Sequence, residues 1–573
     1  MRNHLKGVAF FAILLAFGTA FGAASVFEVT DVGNGQYDGT VKSGGDGYAF
    51  TAEDAARYYK FLDIYNDLLL DGAVCAGSTN WHTVNIGTYA SHPVTIAITN
   101  GARMVTKRYG NIMFKGNGGT IVVSEPSDAA FTWGAGDQIT TVLGDTRPNF
   151  IGTVGYGSKF TLADSVTSDT GTNDILRLLA HGTASMQFIS NQNVNVAARI
   201  LFDGGELRSI YESTTKFQVA DGAKIILQSV NGNPIRLRTH PYSYSLFSGT
   251  GTLETAGDGD FVLLQQANDI YTVSLGADDG GRIVWGHAGD FLLGGRMCLK
   301  LTSDDVLPHG VGKGKVVFSV NNTMYPGVGS SAAKPVTLDL NGRSVTVNAL
   351  VQGSGNAAYY SKWHVVTNSA ENVATLGLDV YTNKDLHEIM TTNLAANAAS
   401  SIKLKKIGAG KLSIGNVNAT NILERVAGTE VTDGVLWFGD NYVLTRPLTI
   451  SGSGSIQVRE DVQWARTLNL SAIPDADLSI GGLTVDTAYY YGKIPTITKF
   501  RPAANGKLYL TNVTGAIDSN YTVPINLTTV VDVENFESWK VYVNGVESRG
   551  LVPVFANGVL KVRQKNGTII VVK

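Results

Sequence analysis

Two aspartates stand side by side at Asp304-Asp305, followed shortly by Pro308-His309-Gly310. Two carboxylates flanking one bond are what sugar hydrolysis uses, one as acid and one as base or nucleophile. The spacing argues against that chemistry here. Neighbouring residues on a strand point to opposite faces, so a solvated turn suits this pair better than a shared bond. Asp258-Gly259-Asp260 and Asp278-Asp279-Gly280 could offer oxygens to Ca²⁺, which takes about six to eight of them. Neither phrase has the spacing of an EF-hand loop, and ordinary acidic turns account for both. The nine histidines are scattered without a His-x-x-x-His, and no Gly-x-Ser-x-Gly, Walker loop or Cys-x-x-Cys occurs. No catalytic or metal site is therefore assigned. The nearest candidates are Asp304, Asp305 and His309 for catalysis, and Asp258, Asp260, Asp278 and Asp279 for a metal. No cofactor is indicated.

The elements that would position such residues are mostly strands. Gly-x-Gly turns recur at Gly116/Gly118, Gly155/Gly157, Gly249/Gly251, Gly353/Gly355, Gly408/Gly410 and Gly452/Gly454, at irregular intervals. A dinucleotide-binding turn needs a helix directly after its glycines; here alternating strands follow, as in Gly454-Ser455-Ile456-Gln457-Val458. Runs such as Val94–Thr99, Lys224–Gln228 and Ser344–Val347 alternate apolar and polar with many β-branched residues, and so read as strands. Parallel strands need crossovers, and helical crossovers are missing from the pattern. A parallel β-helix with short turns is preferred over a string of antiparallel sandwiches. Asn-rich turns (Asn191, Asn193, Asn195; Asn341, Asn348; Asn416, Asn418) fit side chains stacked between rungs. One helix is expected near the N-terminus, where Thr51 and Asp54 can form a capping box. Ala55, Tyr58, Tyr59, Leu62, Tyr65 and Leu69 would form its apolar stripe, and the helix would cap an open sheet stack. Near the C-terminus, Asn544-Gly545, Asn557-Gly558 and Asn566-Gly567 between alternating runs signal hairpins. The expected organisation is a leader at 1–24, a polar segment with the capping helix at 25–73, a β-solenoid at 74–524 and an antiparallel meander at 525–573.

Composition agrees with a sheet-covered, neutral exterior. Glycine supplies 66 of 573 residues and charged residues only 16%, against ordinary shares of about 7% and about 25%. The net charge of −3 leaves no basic field to attract nucleic acid or an anionic membrane. Arg2, His4 and Lys6, the apolar run Val8–Phe17 and the small residues Gly22-Ala23-Ala24 form a secretory signal peptide. The chain is therefore expected to be exported, with no membrane span after cleavage. Export permits a disulfide, but Cys75 and Cys298 are 223 positions apart, and two isolated thiols are the simpler reading.

The phrase Lys406-Ile407-Gly408-Ala409-Gly410-Lys411-Leu412-Ser413-Ile414, followed by Val431-Thr432-Asp433-Gly434-Val435-Leu436-Trp437-Phe438, resembles the autotransporter-associated β-strand repeat of bacterial passenger proteins. Val336 to Gly355 resembles a looser copy. The resemblance implies a right-handed parallel β-helix at the cell surface or beyond, and no catalytic residues. The last residues, Ile570 to Lys573, lack the pattern of a translocator barrel, so a passenger without its barrel is expected. Asp304-Asp305 with His309 also resembles, more distantly, the Asp-Asp and Gly-His-Gly of polygalacturonases, whose Asn-x-Asp and Arg-x-Lys elements have no counterpart here. The expected function is a non-enzymatic, adhesin-like or matrix-like β-solenoid with glycans or surface components as partners. The alternative is a secreted polysaccharide lyase or hydrolase on the same fold.

Overall fold

The computed structural model describes residues 26–565 apart from short internal stretches, the longest being 320–335 and 353–364; between 97 and 198 it describes strand backbones only. The chain forms two compact units, Met1–Val306 with Ser319–Val336 and Leu307–Phe318 with Thr337–Lys573. Both are β-solenoids built of parallel strands.

In the first unit each rung supplies one strand to each of three ladders. Lys224–Ser229, Ile235–Thr239 and Tyr244–Ser248 make one rung, and Thr252–Ala256, Phe261–Gln265 and Tyr271–Leu275 make the next. Successive strands pair in parallel and in register, as in Lys224 with Thr252 and Thr252 with Arg282. Period-2 alternation sends Ile225, Leu227, Leu253, Val273 and Leu275 into a fully buried core. Phe261 and Phe291, partners in register, stack at 5.1 Å inside it. The core also holds a charge pair. Arg238 donates from Nε and Nη2 to Glu206 Oε2 at 3.0 Å, with both residues buried.

The second unit repeats the three-ladder plan. One ladder runs through Ser344–Val347, Ala374–Asp379, Ile402–Ile407, Gly428–Val431 and Leu448–Ile450. A second runs through Lys411–Ile414, Val435–Phe438 and Ser455–Val458. The long strand Leu478–Asp486 pairs with both. A third holds Tyr442–Val443, Thr467–Asn469, Thr496–Phe500 and Asn526–Val530. Asparagines stitch the turns together, as their frequency implied. Buried Asn348 donates to the carbonyls of Gly310 and Lys313 and accepts from the amide of Gly310. Asn368 donates to the carbonyls of Asn372 and Ser401. Among the other asparagines singled out, Asn191 is described in backbone only, and Asn193, Asn195, Asn416 and Asn418 lie outside the described residues.

The N-terminal helix differs from expectation. The Thr51–Asp54 capping box forms, but the helix spans only Ala52–Ala55. Tyr58–Ile64 is a strand, paired with Gln36–Val41 on one side and Thr83–Ile86 on the other. The apparent helical spacing comes from a bulge. The register steps from Tyr37–Tyr59 to Asp38–Phe61 and passes over Lys60. An extra residue in a strand shifts which face its side chains meet, so Tyr59, Leu62 and Ile64 are all fully buried. The unit is closed instead by a hairpin, Phe27–Gly33 with Gln36–Val41, and by a cluster of Phe27, Tyr48, Phe50 and Tyr59 rings. Asp54 anchors this cluster, accepting from Tyr48 Oη at 2.7 Å. At the other end, Asn526–Val530 still pairs in parallel. Tyr521–Thr522 already pairs antiparallel with Val559–Gln564, and Lys540–Val543 turns at Asn544-Gly545 into Val546–Glu547. Leu551–Ala556 and Val559–Gln564 form the second expected hairpin, with Asn557 and Gly558 both at positive φ. The Asn566-Gly567 pair lies outside the described residues.

Candidate binding face

The phrase that carries the repeat resemblance builds the corner of the best-organised face in the second unit. Lys406 is the penultimate residue of the strand Ile402–Ile407 and is buried. Its Nζ donates to the carbonyls of Gly408 and Asp433, both at 2.7 Å, so one ammonium holds the turns of two successive rungs. Burial pushes this ammonium down to about 8, while the charges of Asp433 and Asp379 pull the other way, leaving it charged at neutral pH. The two glycines of Gly408-Ala409-Gly410 do different things. Gly408 takes the left-handed φ of +78° that makes the turn. A Cβ at Gly410 would lie 2.6 Å from the carbonyls of Val380 and Thr382 in the preceding rung.

Strands leaving this corner present one outward row. Ser413 pairs with Trp437, and Trp437 with Gln457. Gln457 falls beside Thr484, because Ile456 pairs with Leu483. Thr484 pairs with Tyr509, and Tyr509 with Tyr542. The alternate residues Leu412, Leu436, Ile456, Leu483, Leu508 and Val541 are fully buried. The row residues are partly exposed, apart from Thr484, which is buried. The Tyr509 and Tyr542 rings stack at 5.1 Å. Burial, with the charges of Tyr542 and Asp433 adding to it, pushes the Tyr509 phenol up to about 12. A neighbouring outward row carries Lys411, which pairs with Val435, and Lys507, which pairs with Lys540. Lys411 Nζ lies 4.9 Å from the centre of the Trp437 ring, a cation–π contact.

Glu460, which no sequence motif marked, is the most perturbed carboxyl near this face. It accepts from the amide of Asp486 at 3.1 Å and lies beside Gln457. Burial pushes its carboxyl up to about 7; the Asp486 amide opposes this and the Asp486 charge adds to it. The folded state keeps this proton after the unfolded chain, at the ordinary 4.5, has released it. The contribution is therefore complete below pH 4.5 and is lost as pH rises through 7, by up to about 3 kcal/mol. Urea midpoints at pH 5 and pH 7.5 should show the loss in the wild type, and Glu460→Gln should flatten it.

Among the described residues singled out from sequence, Asp304 and Asp305 fall in one compact unit and His309 in the other. Asp304 and Asp305 are exposed in a turn ending the first unit, with Asp305 at φ +46°. His309 belongs to the second unit, where its Nδ1 lies 3.7 Å from Asp379 Oδ2. Asp258 is exposed; Asp260 accepts from the amide of Asp290, a turn-stitching role. Asp278 and Asp279 lie outside the described residues. Among the described residues no group of three His, Cys, Asp or Glu is placed to hold a metal ion. Thr255 Oγ1 lies 2.7 Å from His287 Nδ1, a spacing suited to a nucleophile and its base. Both residues are fully buried, however, and the imidazole sits against Phe261 and Trp285. No substrate reaches them, and they act as a core polar pair. Cys298 is not in a disulfide. The ladders put at least seven strand spacings of about 4.8 Å between its rung and that of Cys75, far beyond disulfide reach.

Comparison with family models, with curated proteins and with solved structures returned no match. Among the described residues no helix is long and apolar enough to cross a membrane.

Proposed function

We propose that this chain is an exported, non-enzymatic β-solenoid that works as an adhesin-like or matrix-like scaffold, binding glycans along its sheet faces. The observation that carries the reading is the in-register outward row Ser413, Trp437, Gln457, Tyr509 and Tyr542. A row of aromatic and amide side chains, interrupted at the buried Thr484, can make many modest contacts with a polymer, and their combined avidity exceeds any one of them. Export rests on the basic, apolar and small-residue pattern of residues 1–24, which lie outside the described residues. The repeat resemblance of residues 406–438 is consistent with a passenger-like surface role. Retention of the purified protein on immobilised glycans, with no product released from pectin, alginate or neutral polysaccharides, is the expected result. Clear product release would sink the scaffold reading.

The alternative, a secreted polysaccharide lyase or hydrolase, has one observation in its favour. Glu460 is a carboxyl that stays protonated near neutrality beside Gln457 of the aromatic row, the state required of a general acid. Under that alternative Glu460→Gln abolishes product release; under the scaffold reading there is no release to abolish.

A further inference from the structure

We infer that the face formed by Trp437, Tyr509, Tyr542, Lys411 and Lys507 is a binding strip for an acidic polysaccharide, a chain bearing regularly spaced carboxylates. This rests on the scaffold reading and names its ligand class.

The first ground is geometric. The strip advances one residue per rung, at about 4.8 Å, close to the advance per sugar of an extended hexopyranose chain. A polymer laid along the row therefore meets one row position per rung, with the buried Thr484 as a gap between Gln457 and Tyr509. Trp437 and the Tyr509–Tyr542 pair, whose rings stack on each other, offer partly exposed apolar ring surface to the sugar C–H groups. Gln457 and Ser413 offer hydrogen bonds between them.

The second ground is charge. Lys411 sits over the Trp437 ring, and Lys507 Nζ donates to the Gly452 carbonyl at 2.9 Å. Neither has a carboxylate partner, and they lie four strands apart along the ladder. Lys540, the next lysine in that row, is paired with Glu547 at 3.3 Å. The opposing carboxyls near this face are Asp433, whose field reaches Tyr509, and Glu460 beside Gln457 with Asp486 next to it. Two ammonium groups without a carboxylate partner, flanking aromatic rings, complement a polyanion better than a neutral chain, and Asp433, Asp486 and Glu460 weaken that preference.

The test compares polygalacturonate with its methyl-esterified form, the same backbone without charge, by affinity electrophoresis of the full chain. Tighter retardation by polygalacturonate that fades with added salt is expected. Lys411→Gln with Lys507→Gln should weaken it about tenfold, and Trp437→Ala by a similar factor. Asp433→Asn should strengthen it. Equal retardation by both polymers, or an unchanged affinity in the lysine double variant, overturns the inference. The lysine side chains are on the surface, so unchanged circular dichroism separates lost binding from lost folding. If neutral glycans bind and survive these substitutions, the scaffold reading stands while this inference falls. If the wild type releases product, the scaffold reading itself falls.

Discussion

Gly434→Ala is expected to destabilise the second unit by about 4 kcal/mol, from positive-φ strain together with overpacking. Gly434 takes φ +65°, and a Cβ there would lie 2.4 Å from the Gly410 carbonyl and 2.6 Å from Lys406 Nζ. Neither neighbour can yield cheaply. The carbonyl belongs to the turn of the previous rung, and the ammonium already bridges Gly408 and Asp433. Displacing it would leave those two carbonyls short of a donor, at about 1–3 kcal/mol each where water is excluded. The damage should be local, because each rung of a solenoid depends mainly on its neighbours. Hydrogen exchange should accelerate in Ile402–Ile407, Lys411–Ile414 and Val435–Phe438, while the first unit keeps its protection. Lys406→Met should reproduce part of this pattern. Unchanged exchange in the Gly434→Ala protein would show that the turn is not held as described.

Arg238→Met is expected to cost the first unit about 3–5 kcal/mol. It leaves the Glu206 carboxylate buried without the guanidinium that bonds it through two nitrogens. Replacing both partners with apolar residues of similar size should recover most of the loss, because a buried pair gains little over good packing. Thermal melts of Arg238→Met, Glu206→Leu and the double variant make a cycle that isolates the coupling. A double variant as unstable as the sum of the singles would contradict the pairing.

The solenoid was legible because its cause is local. Gly408 must turn with positive φ, and Leu412, Ile414, Leu436 and Phe438 must alternate to fill a core; both requirements are written in short phrases. The Asn544-Gly545 and Asn557-Gly558 hairpins were legible for the same reason. The strand Tyr58–Ile64 was not. Its bulge at Lys60 places buried residues three apart, which mimics a helical stripe, and pairing with Gln36–Val41 overrides the local capping signal. The binding face was also hidden, because its row depends on rung length. Trp437 follows Ser413 by 24 positions and precedes Gln457 by 20, while Tyr509 and Tyr542 are 33 apart. With no constant period, nothing in the sequence aligns those rings. The raised carboxyl of Glu460 likewise arises from burial against the next rung, at a spacing no motif records.

The faces of this solenoid are expected to bind and not to react. The most direct measurement incubates the full chain with a panel of acidic and neutral polysaccharides, recording retained protein and released sugar ends in the same samples. Retention on at least the acidic polymers, with no product above the protein-free control, is expected. Product release, or retention on no polymer at all, would contradict it.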